Sequence, residues 1–235
     1  MKVTLGSFSN QGPRKANEDS VLASVLFDGS CVLAVADGLG GHFGGAEASA
    51  IAVQMLAESN PSTLIEFEEA FRTIHERIQE RQRNEPINSG MATTLTAVRI
   101  FENRLIGAHC GDTRCVLQRA LGIKKLTVEH TEAQRLFQVG KLTKEQLLTY
   151  PRRNVLDSAL GVQDGLRIDT FEHDLLYGDK ILITSDGVHE VVRLRQLLGL
   201  LEQPISLEDT LNALTKAVIA TGAEDNFSAS LAFVN

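Results

Sequence analysis

The chain has 235 residues, 43% of them hydrophobic and 23% charged, enough to bury a large core in one domain or two small ones. Its 23 Lys and Arg are outnumbered by 30 Asp and Glu, for a net charge of −7, which argues against the basic footprint of a nucleic-acid binder and suits a protein that holds cations. The longest apolar run, Cys31 to Ala36, is far short of the roughly 20 residues that cross a bilayer, and MKVTLGSFSN contains no hydrophobic signal core.

Residues 3–8 and 21–35 read as three short strands, the last two joined through Asp28-Gly29, a dipeptide suited to a hairpin turn. The third, CVLAVA, is apolar throughout and therefore central. A helix is expected over about 46–58, with Ala50, Val53 and Ala57 on one face. A stronger one covers 63–83, where Leu64, Phe67, Phe71, Ile74 and Ile78 recur at helical spacing among Glu and Arg. After a turn at 86–90 come the β-rich runs TTLTAVRIF, RLIGAHC and RCVLQR, read as an antiparallel meander. Residues 129–154 are charged and helix-prone, too long for a turn and too polar for core, and read as an inserted flap. Strands follow at 166–171 and in KILITS, then helical stretches near 189–202 and 206–221, and a last strand, FSASLAFV.

No repeat or Pro/Ser linker divides the chain, and strands arrive in consecutive groups rather than alternating with helices. The expectation is a single α+β domain, two sheets flanked by helix pairs, over 1–235 with a flap at about 129–160. The three cysteines, Cys31, Cys110 and Cys115, lie in apolar stretches with no CxxC. They read as buried reduced thiols, which fits a cytoplasmic location.

Four Asp-Gly pairs occur, at 28, 37, 164 and 186. A turn accounts for the first and third, which sit in polar surroundings. Asp37 and Asp186 instead follow the buried runs VLAVA and KILITS, so each strand delivers a carboxylate to a sheet edge, with a glycine that lets backbone approach closely. Glu18 and Asp19, Asp112 and Asp225 also stand at strand ends. Clustered hard oxygens suit Mg²⁺ or Mn²⁺, and the absence of a His or Cys ligand pattern disfavours zinc. The loop GLGGHFGG has five glycines in eight residues but matches neither a P-loop nor a GxGxxG motif, so it reads as a flexible turn or as a loop that approaches a metal or anion.

Seven segments in register over about residues 5–234 carry a family resemblance: RKANEDS (14–20), ADGLGGHFGG (36–45), SGMATTLTA (89–97), GDTR (111–114), PRRNVLDSALG (151–161), LITSDGV (182–188) and EDNFS (224–228). The chain resembles the metal-dependent serine/threonine protein phosphatases of the PPM, or type 2C, family in their compact bacterial form. The resemblance implies a four-layer α-β-β-α sandwich of two antiparallel sheets with a metal site in a cleft at one end. It implies that Asp37 bridges two metals, Gly38 offers a carbonyl to one, Asp186 and Asp225 complete the other, and Glu18 and Asp19 hold metal-bound waters. Asp112, with Asp186, resembles a third metal site, and Arg14 the phosphate-binding arginine, whose fork suits two phosphoryl oxygens.

The implied chemistry is hydrolysis of phosphoserine and phosphothreonine by a metal-activated water, with no protein nucleophile. A cytoplasmic monomer acting on phosphorylated proteins, with a cognate kinase as partner, completes the expectation. A phosphoprotein-binding regulatory module and a small-molecule phosphomonoesterase are the alternatives. The chain departs from the family at Leu39, where many eukaryotic relatives have a histidine proposed as leaving-group acid, and His42 either donates a proton or caps the glycine loop. It departs also at Glu129-His130, where relatives read DH, and a surface turn is expected there. Arg152 and Arg153 read as a solvated pair or as a guide for a phosphopeptide.

Overall fold

A computed structural model describes residues 2–40, 44–85, 87 and 89–235; His42 lies outside the described residues. Eleven strands and seven helices follow in the order β1 (Val3–Asn10), β2 (Asp19–Val25), β3 (Cys31–Leu39), α1 (Gly44–Ser59), α2 (Leu64–Asn84), β4 (Ala92–Thr93), β5 (Leu95–Phe101), β6 (Arg104–Cys110), β7 (Arg114–Arg119), β8 (Gly122–Lys125), α3 (Glu132–Gln138), α4 (Lys144–Thr149), β9 (Asp169–Asp174), β10 (Lys180–Thr184), α5 (Asp186–His189), α6 (Leu194–Leu201), α7 (Leu207–Ala220) and β11 (Phe227–Val234) among the described residues.

Two antiparallel sheets result. One runs β1-β11-β10-β7-β8; the other runs β2-β3-β5-β6-β9, with β4 paired to β3. Leu33, Val35, Val98, Ile100, Ile181, Ile183 and Ala232 fill the space between them. The alternate residues of β3, Val32, Ala34 and Ala36, face outward onto α1 and α2, so β3 is apolar throughout because both of its faces are covered. On the other side Val116, Leu182 and Leu231 pack against α6 and α7 through Leu197, Leu214 and Val218. This is the expected four-layer α-β-β-α sandwich.

Helix α2 follows its stripe: Phe67, Phe71, Ile74 and Ile78 are fully buried, each contributing about 1.5–3 kcal/mol of apolar transfer. Its N-cap is Thr63, whose side chain accepts from the Glu66 amide. Helix α1 turns a different face inward from the one expected. Ala48, Ser49, Ala52 and Leu56 are buried, whereas Ala50 and Ala57 are exposed. Nearly every side of this helix is apolar or small, so periodicity defines no stripe, and packing on β3 sets the rotation.

The expected meander is also corrected. β5 and β6 pair, but β7 pairs with β10 and β8 in the other sheet. The chain crosses between sheets at Gly111 (φ +105°), where a Cβ would lie 2.5 Å from the Thr94 side chain, and a single tight residue pair therefore turns the strand out of one layer into the next. The strand expected at 166–171 is β9, at 169–174, and the helical stretch near 189–202 divides into α5 and α6. The three cysteines are buried and free. Between β8 and β9, α3 and α4 form a separate excursion tied down by the Thr131–Leu156 bridge.

Candidate active site

Asp37 sits near the end of β3, directly opposite Asp19 of β2 in the ladder. Its amide donates to Thr94 Oγ1 at 3.0 Å and its carbonyl accepts from the Thr94 amide and Thr93 Oγ1 at 2.8 and 2.9 Å, so the backbone that carries the carboxylate is held on both sides. Gly38 follows with no room for a side chain: a Cβ there would stand 2.1 Å from the Gly45 carbonyl oxygen and 2.6 Å from that of Glu18. Gly187 is equally constrained, 2.0 Å from the Asn226 carbonyl. In both Asp-Gly pairs the glycine lets backbone meet backbone beneath the carboxylates.

Asp186 opens α5 at the end of β10. The residue before it, Ser185, donates to Asp19 Oδ2 at 2.8 Å while its oxygen accepts from the Ser228 amide at 2.9 Å, linking strands of both sheets. Asp19 is buried, and its Oδ1 has no hydrogen-bond partner. Asp225 lies just before β11 and pairs with Arg14 at 2.7 Å. The same arginine donates through Nε to the Glu224 carbonyl. Both partners of that pair are well exposed, with side-chain accessibilities of 57% and 40%, so it contributes little stability. The Glu18 carbonyl accepts from the Gly38 amide at 3.1 Å, which brings Glu18 to the same place.

Electrostatics define the cluster. Burial first, then repulsion from Asp19, Asp186 and Asp112, pushes Asp37 well above the usual carboxylate range. Burial raises Asp19 to about 7 despite the hydrogen bond from Ser185. Asp112 rises to about 8 through burial and the Asp186 charge, and Asp186 to about 6 through burial with Asp225 and Glu190 nearby. Glu18 is raised by burial and Asp225, partly offset by Arg14. Asp37, Asp112 and Asp186 retain some solvent access, and Asp112 and Asp186 line a cleft.

Among the described residues no three Asp, Glu, His or Cys side chains already close on one point as a ligand cage. The groups that act most strongly on Asp19, Asp37 and Asp112 include other carboxylates and no cation. Such a set, with the orphaned Asp19 oxygen and the Gly38 carbonyl, has the hard-oxygen chemistry to hold divalent cations. Beside Asp112 and Asp186 opens a cavity of about 550 Å³, walled by Leu147, Leu148, Arg153 and Asn154 on one side and by Glu190 and Arg193 on the other.

Two sequence expectations outside the cluster change, those for Glu129-His130 and for Asp28. Glu129 and His130 do not form a surface turn. Both are buried. Glu129 pairs with Arg114 and Lys125, which hold its carboxyl down at about 2 against the cost of burial, and His130 Nδ1 accepts from the Gly111 amide while Nε2 meets Asp169. Arg152 and Arg153 are exposed and paired, with Glu132 and Glu190 respectively. Asp28 does more than turn the chain, because its carboxylate binds Ser30 and the buried Arg99. Ser185, Thr94 and Asn226 were not singled out from the sequence. Their only signal there was to stand within or beside the segments LITSDGV, SGMATTLTA and EDNFS.

The model of the family described as protein phosphatase 2C matches residues 9–232. The chain belongs to the protein phosphatase 2C family. It is 30% identical over 227 residues to the serine/threonine phosphatase stp of Listeria welshimeri, covering 93% of this chain and 90% of that protein. Its fold matches the Streptococcus agalactiae serine/threonine phosphatase with a TM-score of 0.91 at 28% identity, over 99% of this chain and 100% of the other. It also matches the catalytic domain of the phosphatase PstP in complex with two manganese ions, with a TM-score of 0.86 at 29% identity over 98% and 97% of the two chains.

Proposed function

We propose that this chain, a serine/threonine protein phosphatase, acts with divalent cations, Mn²⁺ or Mg²⁺, held by the carboxylate cluster at the end of the sandwich. The observation that carries the reading is the group Asp37, Asp19, Asp186 and Asp112, brought to one end of the sandwich and pushed up in pKa by burial and by neighbouring carboxylates. When bound, a pair of such ions supplies an activated water at neutral pH and Lewis-acid polarisation of the phosphoryl group; PstP binds two manganese ions.

In this reading Asp37 would be shared by the two cations. The Gly38 carbonyl would serve one of them and Asp186 and Asp225 the other, while Glu18 and Asp19 would hold coordinated waters. Asp112, with Asp186, would take a third ion. Asp37 and Asp186 would be ionised as ligands, although burial raises both in the metal-free protein. Ser185 keeps Asp19 oriented from beneath. Arg14 carries guanidinium donors beyond the two directed at Glu224 and Asp225, and its exposure leaves them free to bind phosphoryl oxygens.

The whole of 1–235 is one phosphatase domain, and 129–160 is a flap beside the cleft. The substrates are phosphorylated proteins, including those of a cognate serine/threonine kinase, and the protein works as a cytoplasmic monomer. No helix among the described residues is long and apolar enough to cross a membrane.

The test is metal removal. After exhaustive chelation and dialysis, hydrolysis of p-nitrophenyl phosphate and of a phosphothreonine peptide should vanish and return with Mn²⁺. Undiminished turnover in the metal-free protein would refute the reading.

A further inference from the structure

The loop from Gln11 to Lys15 carries Arg14 and is exposed throughout, so no apolar side chain anchors it. Its attachment is polar and comes largely from one residue. Asn226, 6% exposed, donates from Nδ2 to the Gln11 carbonyl at 2.7 Å and to the Ala16 carbonyl at 2.9 Å, and its Oδ1 accepts from the Glu18 amide at 2.9 Å. These contacts bracket Arg14 on both sides. They also settle which way the amide points, because the two carbonyls need donors and the Glu18 N–H an acceptor.

The backbone amide of the same residue donates to Asp225 Oδ1 at 2.8 Å, and Asp225 Oδ2 meets Arg14. The loop is packed as closely as it is bonded. Gly12, at φ +56°, lies where a Cβ would be 2.2 Å from the Asp225 carbonyl oxygen. One buried amide thus holds the segment 11–18 against 224–226.

We propose that Asn226 is a positioning residue for phosphate recognition: by bonding the backbone at Gln11, Ala16 and Glu18 it fixes where the Arg14 guanidinium stands relative to the carboxylate cluster. This rests on the reading of Arg14 as the phosphate-binding group. An arginine on an untethered loop still attracts an anion, but the two-point geometry of its fork is lost. A residue that merely stabilised the fold would instead lower thermal stability and leave the affinity of the remaining folded enzyme for phosphate unchanged.

The experiment measures inorganic phosphate as a competitive inhibitor of p-nitrophenyl phosphate hydrolysis by the Mn²⁺-loaded enzyme, for Arg14→Ala, Asn226→Ala and the double variant, with bound Mn²⁺ counted in each. Asn226→Ala should raise the inhibition constant about 10-fold with the metal count unchanged, and the double variant should be no more than about 3-fold worse than Arg14→Ala alone, since coupled residues are not additive. Gly12→Ala, whose Cβ would meet the Asp225 carbonyl at 2.2 Å and lie 3.6 Å from the buried Phe227 ring and so presses the exposed loop away, should weaken phosphate binding in the same direction with the metal count unchanged, and it carries the test if Asn226→Ala does not fold. A wild-type inhibition constant in Asn226→Ala, or in Gly12→Ala where that variant must stand alone, would overturn the proposal. So would fully multiplicative effects in the double variant, or loss of a metal. If Arg14→Ala itself leaves phosphate binding intact, the assignment of Arg14 fails first, and an effect of Asn226→Ala then has another origin.

Discussion

Asp37→Asn should have opposite effects on the metal-free and the metal-loaded protein. Without metal, Asp19, Asp37, Asp112 and Asp186 have folded pKa values above the 3.8 of a free aspartate. The folded state therefore binds protons that the unfolded chain releases, and this stabilisation is complete below about pH 4 and lost as pH rises through about 6 to 8. From pH 5 up to its own value of about 7, Asp19 alone retains its proton while the unfolded group is ionised, about two pH units worth about 3 kcal/mol at about 1.4 kcal/mol per unit. For a chain of this size that is a fall in Tm of about 6–12 °C between pH 5 and pH 8. Asp37→Asn removes a buried carboxyl that the folded state can hold at pH 8 only by taking up a proton or by burying a charge among other carboxylates, and should raise the metal-free Tm at pH 8.

Metal reverses the order. At free Mn²⁺ about 100 times its Kd the wild type gains about 2.7 kcal/mol, or about 5–11 °C, and the variant, which lacks the bridging ligand, much less. Asp28→Asn changes net charge equally but deprives Arg99 of a partner, so it should lower the metal-free Tm and keep the full response to Mn²⁺. Differential scanning calorimetry at pH 5 and pH 8, with chelator or Mn²⁺, measures all of this. A metal-free Tm no lower at pH 8 than at pH 5, or an Asp37→Asn variant that melts lower without metal yet keeps the wild-type rise with Mn²⁺, would refute the argument that the cluster is an uncompensated set of buried carboxylates.

Arg14→Ala should reduce kcat/KM on a phosphothreonine peptide by about 10- to 200-fold, as expected for loss of charge-assisted bonds of about 1.5–3 kcal/mol. Steady-state kinetics check that, while Mn²⁺ affinity by titration calorimetry should shift less than about 5-fold, because the Arg14–Asp225 pair is exposed. Asp112→Ala should lose one weak Mn²⁺ and much of the activity with the other two sites intact, and an unchanged metal count would leave Asp112 a structural turn. Gly38→Ala forces a Cβ onto the Gly45 and Glu18 backbones, so it should cost about 1–3 kcal/mol or more by denaturant midpoint and remove the Mn²⁺ response. Gly29→Ala, which has open space, should bear only the strain of its positive φ and keep that response.

The comparison of sequence with structure separates local from nonlocal causes. Patterns within one element read well: the Phe67, Phe71, Ile74, Ile78 stripe became the buried face of α2, and CVLAVA became a strand covered on both sides. The acids at strand ends were also legible, because a carboxylate directly after a buried apolar run has few structural uses. By itself the order of strands and helices indicated two sheets with flanking helices, and seven spaced motifs indicated the family.

Tertiary structure alone decided the rest. The face of α1 depended on what it packs against, since Ala48, Ala52 and Leu56 are no more apolar than their neighbours. That β7 leaves β6 for the opposite sheet follows from the crossing at Gly111 and from its pairing with β10, some 65 residues on, and no local pattern carries that information. Glu129 and His130 look like surface residues until Arg114, Lys125, the Gly111 amide and Asp169 surround them. The contacts beneath the carboxylates are of the same kind: Ser185 reaches Asp19 across 166 residues of chain and Asn226 reaches Gln11 across 215. Residue type and spacing announce a charged group, but the polar partners that orient it are small, common residues whose role exists only once distant strands are side by side.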